Sequence, residues 1–306
     1  MSESYIEANG VRLAYEEFGS PSAPAILLIM GLGTQMISWP LSLCKGLVAG
    51  GFRVIRFDNR DIGLSEKMEN AHIPRAPSMM LRSTLGLPLK VSYTLDDMAK
   101  DLIGLMDALH LDQAHLVGAS MGGMIGQIAT ARHPHRVLSF TSIMSSSGDP
   151  KLPGASRKVV RTMVKRSLGI EKPNLENTMA FQRMIGSPGY PQSDEELKNK
   201  VLDSVKRSLY PEGYSRHLAA IMASGSRVKL LKTITVPTLV IHGRDDALVP
   251  LECGIDTARH IPDARLQVID GMGHNLPEAL MPRLLELIAA HVGQAGQSRQ
   301  LAIGRI

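Results

Sequence analysis

His115-Leu-Val-Gly118-Ala-Ser120-Met-Gly122-Gly123 decides the reading of this chain. The first residues make a short apolar run that suits a buried strand, and Met121 to Arg132 read as a helix. Ser120 stands where one gives way to the other, inside the pattern G-x-S-x-G. That strand–turn–helix setting separates a nucleophile elbow from a chance glycine match. The turn is sharp and strains the serine backbone. Side chains two residues before or after it would meet neighbouring backbone, so glycine is required at 118 and 122. The plainer reading is a glycine-rich turn with Ser120 as an N-cap. It leaves the acid and base motifs described below without a purpose.

Working outward, strand and helix patterns alternate on both sides of the elbow. Tyr5 to Ala8 and Val11 to Phe18 alternate in polarity across Asn9-Gly10, a hairpin signal. Ala25 to Met30 is a continuous apolar run, as a strand buried on both faces requires. Arg53 to Asp58, Val137 to Met144, Val236 to His242 and Ala264 to Asp270 read as further strands. Helical patterns fall at 38–50, 94–109 (with Thr94 as N-cap), 121–132, 251–260 and 277–291. This alternation predicts α/β architecture: a mostly parallel eight-stranded sheet with helices on both faces and the hairpin as an antiparallel edge.

One interruption stands out. Residues 149–232 carry helical stretches broken by Gly and Pro, with no strand-like run. They predict a helical cap inserted after the sixth strand, into a core made of 1–148 and 233–306. A second irregular stretch, Glu66 to Ser92, follows the fourth strand. Its Met79, Met80, Leu81, Leu85 and Leu87 suit either an adaptable apolar binding wall or core packing. Excursions of this length at strand ends usually shape a site.

Composition bounds the function classes. Of 306 residues, 44% are hydrophobic and 21% charged, an ordinary globular balance. No apolar run approaches the length of a membrane span. The opening residues show no basic region followed by an apolar run, so no secretory signal is expected. Two cysteines, Cys44 and Cys253, argue against a disulfide framework and a cysteine zinc site. These features together predict a cytoplasmic protein. The net charge is +5, with the basic excess concentrated in 149–232. Those cations alternate with acids at helical spacing and lack interleaved aromatics. A solvated helical surface is therefore expected, and no nucleic-acid partner.

A serine hydroxyl becomes a nucleophile only when a base takes its proton. Gly271-Met-Gly-His274 places a histidine in a short loop between the last strand and the last helix. His242 ends a strand and is its rival; the other eight histidines, His217 among them, read as surface or packing residues. A carboxylate must then orient the base. His242-Gly-Arg-Asp245-Asp246-Ala-Leu-Val-Pro250 presents two, and Asp149 follows the preceding strand. On chemistry alone all three compete. The chain order serine, acid, histidine is that of α/β hydrolases and not of the major serine proteases.

With Gly118-Ala-Ser-Met-Gly-Gly123, Gly243-Arg-Asp-Asp246, Val249-Pro250 and Gly271-Met-Gly-His274 in order, the chain resembles the α/β-hydrolase fold superfamily over nearly its whole length. More narrowly, Leu28-Ile-Met-Gly-Leu-Gly33 with Trp39-Pro40, and Arg53-Val-Ile-Arg-Phe-Asp-Asn-Arg-Asp-Ile-Gly-Leu-Ser65, resemble the bacterial branch containing aclacinomycin methylesterase. The family spacing G-x-x-D selects Asp246 over Asp245. The resemblance also implies an oxyanion hole from the backbone N–H groups of Met121 and Leu32. Most of the superfamily has His-Gly where this chain has Met30-Gly31. That difference removes an imidazole, keeps the backbone donor and implies altered support for the loop. Asp58-Asn-Arg60 and Gly63-Leu-Ser65 match the branch and read as a polar turn tied down by Asp and Arg.

The expectation is a carboxylesterase-type serine hydrolase with catalytic Ser120, Asp246 and His274. It would cleave a small-molecule carboxylic ester, of short to medium acyl chain or a methyl ester, through an acyl-enzyme. No metal or organic cofactor is implied. The fold leaves other chemistry open: C–C bond hydrolase, thioesterase, acyltransferase, perhydrolase, or a slow-turnover ligand sensor. Monomer and homodimer both remain open.

Overall fold

The computed structural model describes residues 3–73, 79, 82, 87–167, 170 and 174–303. Strand β1 (Ser4–Ala8) turns back into β2 (Val11–Phe18) with Ala8 opposite Val11. Asn9 and Gly10 both have positive φ, 52° and 73°. Two left-handed residues give the turn whose twist matches that of the strands it joins. Then follow β3 (Ala25–Ile29), β4 (Arg53–Phe57), β5 (Ala114–Ala119), β6 (Val137–Ile143), β7 (Thr238–Gly243) and β8 (Arg265–Ile269). They form one eight-stranded sheet in the order β1-β2-β4-β3-β5-β6-β7-β8. Strand β2 runs antiparallel to both neighbours, and β3 to β8 are parallel.

Helices cover both faces. On one lie α1 (Leu41–Ala49) and α10 (Met281–Ile303), whose Leu43, Leu47, Leu284 and Ile288 meet Ile26, Leu28, Val117 and Ile241. On the other lie α2 (Leu95–Ala108) and α3 (Met121–Arg132), whose Leu102, Met106 and Ile125 meet Leu27, Ile29 and Leu116. Every residue of β3 is buried, which is why that stretch reads as a continuous apolar run rather than an alternating one. Helix α2 starts at a capping box, in which the Thr94 hydroxyl and Asp97 carboxylate each satisfy a backbone N–H of the other.

Between β6 and β7 run α4 (Arg157–Ser167), α5 (Leu175–Ile185), α6 (Asp194–Arg207), α7 (Pro211–Ser224) and the short α8 (Val228–Leu231). Helix α9 (Leu251–His260) joins β7 to β8. Of the apolar group in the Glu66 to Ser92 stretch, Met79 is buried and Leu87 exposed; Met80, Leu81 and Leu85 lie outside the described residues. Trp39, Cys44 and Cys253 are buried, and both cysteines are free thiols. No helix among the described residues is long and apolar enough to cross a membrane.

Chain order reverses at β3. The connection from β3 goes to β4 on one side, while β5 pairs on the other. Loops leaving the C-terminal ends of β3 and β5 therefore diverge and open a crevice between them, the usual binding place of an open α/β sheet.

Candidate active site

Ser120 sits at that crevice, one residue beyond β5. Its φ of 55° and ψ of −119° lie outside the comfortable regions for an L-residue. The turn is held by Ser120 N–H donating to Ile143 O at 2.9 Å, and by the Ser145 hydroxyl donating to Ser120 O at 2.8 Å. Gly122 faces the carbonyl of Ile29 so closely that a Cβ there would overlap it, and a Cβ on Gly118 would overlap the carbonyl of Gly122. Glycine at both positions lets α3 start directly against β3.

Three side chains from three loops meet here. The Ser120 hydroxyl donates to His274 Nε2 at 3.0 Å, and His274 Nδ1–H donates to Asp246 Oδ2 at 2.7 Å. The other Asp246 oxygen, Oδ1, accepts from Leu248 N–H at 2.9 Å and Val249 N–H at 2.7 Å. Both carboxylate oxygens are thus engaged and the plane of the group is fixed.

The competing residues lie elsewhere. Asp245 turns away, accepting the Gly271 N–H at 2.9 Å, so it braces the histidine loop from outside. Asp149 caps its own turn through the Lys151 N–H. His242 is fully buried beneath the acid loop. Its Nε2–H donates to Val249 O at 2.8 Å, and Nε2 lies 3.7 Å from Asp246 Oδ2. Burial pushes its pKa down, so it is a neutral strut.

The loop after β3 comes close to the serine: a Cβ on Gly31 would lie 3.1 Å from Ser120 Cβ. Leu32 is the next residue of that loop. Among the described residues, neither its backbone N–H nor that of Met121 has a hydrogen-bond acceptor. An oxyanion forming at a serine needs backbone donors without other acceptors.

The helical segment between β6 and β7 touches both sides of this crevice. At the end of α5, Ile185 O accepts the His274 N–H at 2.6 Å. Ser187 Oγ accepts the Gly273 N–H at 2.9 Å and donates to Asn275 Oδ1 at 2.6 Å. On the opposite side, α6 and α7 bind the turn after β4. Arg207 pairs with Asp58 at 2.7 Å, and Arg216 with Asp61 at 2.7 Å, both acids being fully buried. Asp58 also accepts the Met36 and Leu64 N–H groups, and Arg60 pairs with Asp101. The turn 58–65 is thus tied down by Asp and Arg, and two of the arginines come from the helical segment. Burial works to raise the Asp61 carboxyl, but the bonds it accepts from Arg216, Met68 N–H and Tyr93 outweigh it and hold it low. Sequence patterning offered no signal for these partners, since Asp61 and Arg216 lie 155 residues apart.

The sequence pattern of the alpha/beta hydrolase fold matches residues 24–278, and the chain belongs to that family and is a hydrolase. Rhodomycin D methylesterase DauP of Streptomyces sp. (strain C5) is 29% identical over 315 residues, covering 96% of this chain and 99% of that protein. A 2-hydroxy-6-oxononadienedioate/2-hydroxy-6-oxononatrienedioate hydrolase of Pseudomonas sp. is 32% identical over 181 residues, 56% of this chain and 60% of that one. Among solved structures, the meta-cleavage product hydrolase CumD of Pseudomonas fluorescens IP01 superposes with a TM-score of 0.76 at 23% identity, covering 95% and 98% of the two chains. That last likeness concerns the fold.

Proposed function

We propose that this chain is a serine carboxylesterase acting on a small-molecule ester, with Ser120, His274 and Asp246 as its catalytic residues. The observation that carries the reading is the continuous line from Ser120 Oγ through His274 to Asp246, at 3.0 and 2.7 Å. In the first step Ser120 Oγ bonds to the ester carbonyl carbon while its proton passes to His274 Nε2. The carbonyl electron pair moves to oxygen, where the Leu32 and Met121 N–H groups receive it. Collapse breaks the carbon–alkoxide bond, and His274 returns the proton to the departing alcohol. Water then repeats the sequence on the acyl-enzyme and frees the acid. Asp246 keeps the His274 proton on Nδ1 and stabilises the imidazolium between transfers.

Residues 149–232 would act as a cap over the crevice, attached to a core of 1–148 and 233–306. Their contacts with the histidine loop and with the turn after β4 support this reading. Esters are favoured over C–C substrates because the methylesterase relative is 29% identical along 96% of this chain, whereas the 2-hydroxy-6-oxononadienedioate hydrolase relatives align either along 56% of it at 32% identity or along 82% of it at 26% identity.

Rapid quenching during turnover of a p-nitrophenyl ester, followed by peptide mass spectrometry, tests the covalent step. An acyl adduct on the Ser120 peptide is expected. Turnover with an adduct on another residue, or with none under conditions of burst release, would contradict it.

A further inference from the structure

The loop carrying Leu32 is tight but does not orient itself. Thr34 N–H donates to Gly31 O at 3.3 Å, and the Thr34 hydroxyl to Leu32 O at 3.0 Å. Both bonds lie within the turn, so neither fixes its angle to Ser120.

Outside bonds hold the loop at its ends, where Asn59 Nδ2–H donates to Met30 O at 3.0 Å and Met36 N–H to Asp58 Oδ1 at 2.7 Å, and at its tip, next to Leu32, where the bond comes from α7. Gly33, at φ 62°, donates its N–H to His217 Nδ1 at 3.3 Å. The other ring nitrogen, Nε2–H, donates to Arg60 O at 2.8 Å. His217 thus bridges the loops that leave the adjacent strands β3 and β4. It is fully buried and stands edge-on to Tyr93, ring centroids 6.2 Å apart. Tyr214, one turn earlier on α7, lies against Gly33 so closely that a Cβ on the glycine would overlap its ring. The helix itself is locked by the buried Arg216–Asp61 pair, whose acid also accepts the Tyr93 hydroxyl at 2.7 Å.

The tautomer follows from the partners. A carbonyl only accepts, so Nε2 carries the proton and Nδ1 offers its lone pair to Gly33. Burial pushes the ring's pKa down to about 4 and preserves this neutral form around neutrality.

We propose that His217 is a positioning residue for the oxyanion hole: by accepting the Gly33 N–H it aims the Leu32 N–H at the oxygen of the Ser120 adduct. The proposal rests on the reading of Leu32 as an oxyanion donor. It also gives the helical segment a part in the chemistry, since a residue of α7 sets the geometry of a catalytic loop.

Two substitutions separate the two bonds of the ring. An Asn side chain places its oxygen near the Nδ1 position and keeps the acceptor for Gly33. A Gln side chain places its amide nitrogen near the Nε2 position, keeping the donor to Arg60 and losing the acceptor. Both leave one polar bond intact at a buried site. The first readout is the rate at which a fluorophosphonate labels Ser120. In that reaction the Oγ–P bond forms, the P–F bond breaks, fluoride leaves and the serine proton goes to His274. The phosphonyl oxygen occupies the oxyanion position, so no turnover is needed. The second readout is kcat and KM for p-nitrophenyl butyrate, per Ser120 titrated, which removes any loss of folded protein from the comparison.

In His217→Gln, labelling and kcat are expected to fall about 10- to 100-fold with KM changed less than about threefold, below the ~10²–10³ cost of deleting a donor outright. His217→Asn is expected to recover most of that loss. Equal slowing of both variants would reduce His217 to a packing residue, and two unslowed variants would remove it from the mechanism. Failure of the fluorophosphonate to label Ser120 in wild-type protein would instead overturn the nucleophile assignment, whatever His217 does.

Discussion

Asp246 accepts three hydrogen bonds through two oxygens, and each restricts the group that follows it in the relay. Leu248 and Val249 N–H groups hold Oδ1, which leaves Oδ2 in one direction, toward His274. An amide at this position would present an N–H to an imidazole N–H and force the wrong tautomer. Asp246→Asn is therefore expected to lower kcat on the order of 10⁴-fold, the cost seen for the same change in serine proteases. Asp149→Asn and Asp245→Asn should retain kcat within about tenfold, because neither touches the imidazole. If Asp149→Asn did the damage and Asp246→Asn did not, the acid would be misassigned. Chemistry alone left these three acids in competition, and it took the family resemblance to select Asp246, for a physical reason. Consecutive loop residues face different ways, and Asp245 and Asp246 diverge by backbone turns that composition does not encode. Ser120 was legible because its constraint is local: strand, two glycines and helix are contiguous. His217 was not, since its partners Arg60 and Gly33 lie 157 and 184 residues away.

At the scale of elements, the elbow depends on how closely α3 approaches β3. Gly122 sits against the Ile29 carbonyl, an immovable piece of strand backbone. Gly122→Ala would drive helix and strand apart, and overpacking of this kind costs about 1–3 kcal/mol. The urea midpoint should fall accordingly and ester turnover should fall with it. An unchanged midpoint with full activity would show that α3 does not need this contact. The hairpin, the parallel strands and the four longer helices of 149–232 were legible from period and punctuation, to within a few residues, whereas the one-turn α8 (Val228–Leu231) was not. Helix α6, for example, starts at Ser193 with a Glu196 capping box, a pattern the eye can find. The arrangement of those helices was not legible. Arg207 and Arg216 look like ordinary members of a solvated basic face, yet they are the ones that bury against Asp58 and Asp61. Periodicity says which face of a helix is apolar and nothing about which cations find a buried acid.

The molecule as a whole buries several neutral histidines other than His274. Burial pushes His115, His217 and His291 down to about 4 and lowers His242 as well; proximity to His291 adds to the effect at His115 and Arg265 to that at His291. Their folded pKa values lie below the unfolded value, so the unfolded chain binds more protons in acid. Stability is therefore full above the unfolded histidine pKa, near 6.5, and is lost as pH falls toward 4. Each of the three is worth on the order of 3 kcal/mol across that window. Urea unfolding measured from pH 7.5 to 4.5 should show a steep fall beginning near 6.5, with His291→Gln flattening the slope by about one proton. A pH-independent midpoint down to 4.5 would contradict the burial of these groups as neutral rings.

The proposal that organises all of these features is ester hydrolysis by Ser120. Its most direct test is hydrolysis of p-nitrophenyl esters from acetate to palmitate by wild-type protein and by Ser120→Ala. Saturable release with an optimum at one chain length, abolished in the alanine variant, is expected and would size the acyl pocket. Release that persists in pure Ser120→Ala would contradict the account, as would a wild-type protein that hydrolyses no ester in the series or any methyl ester offered beside it.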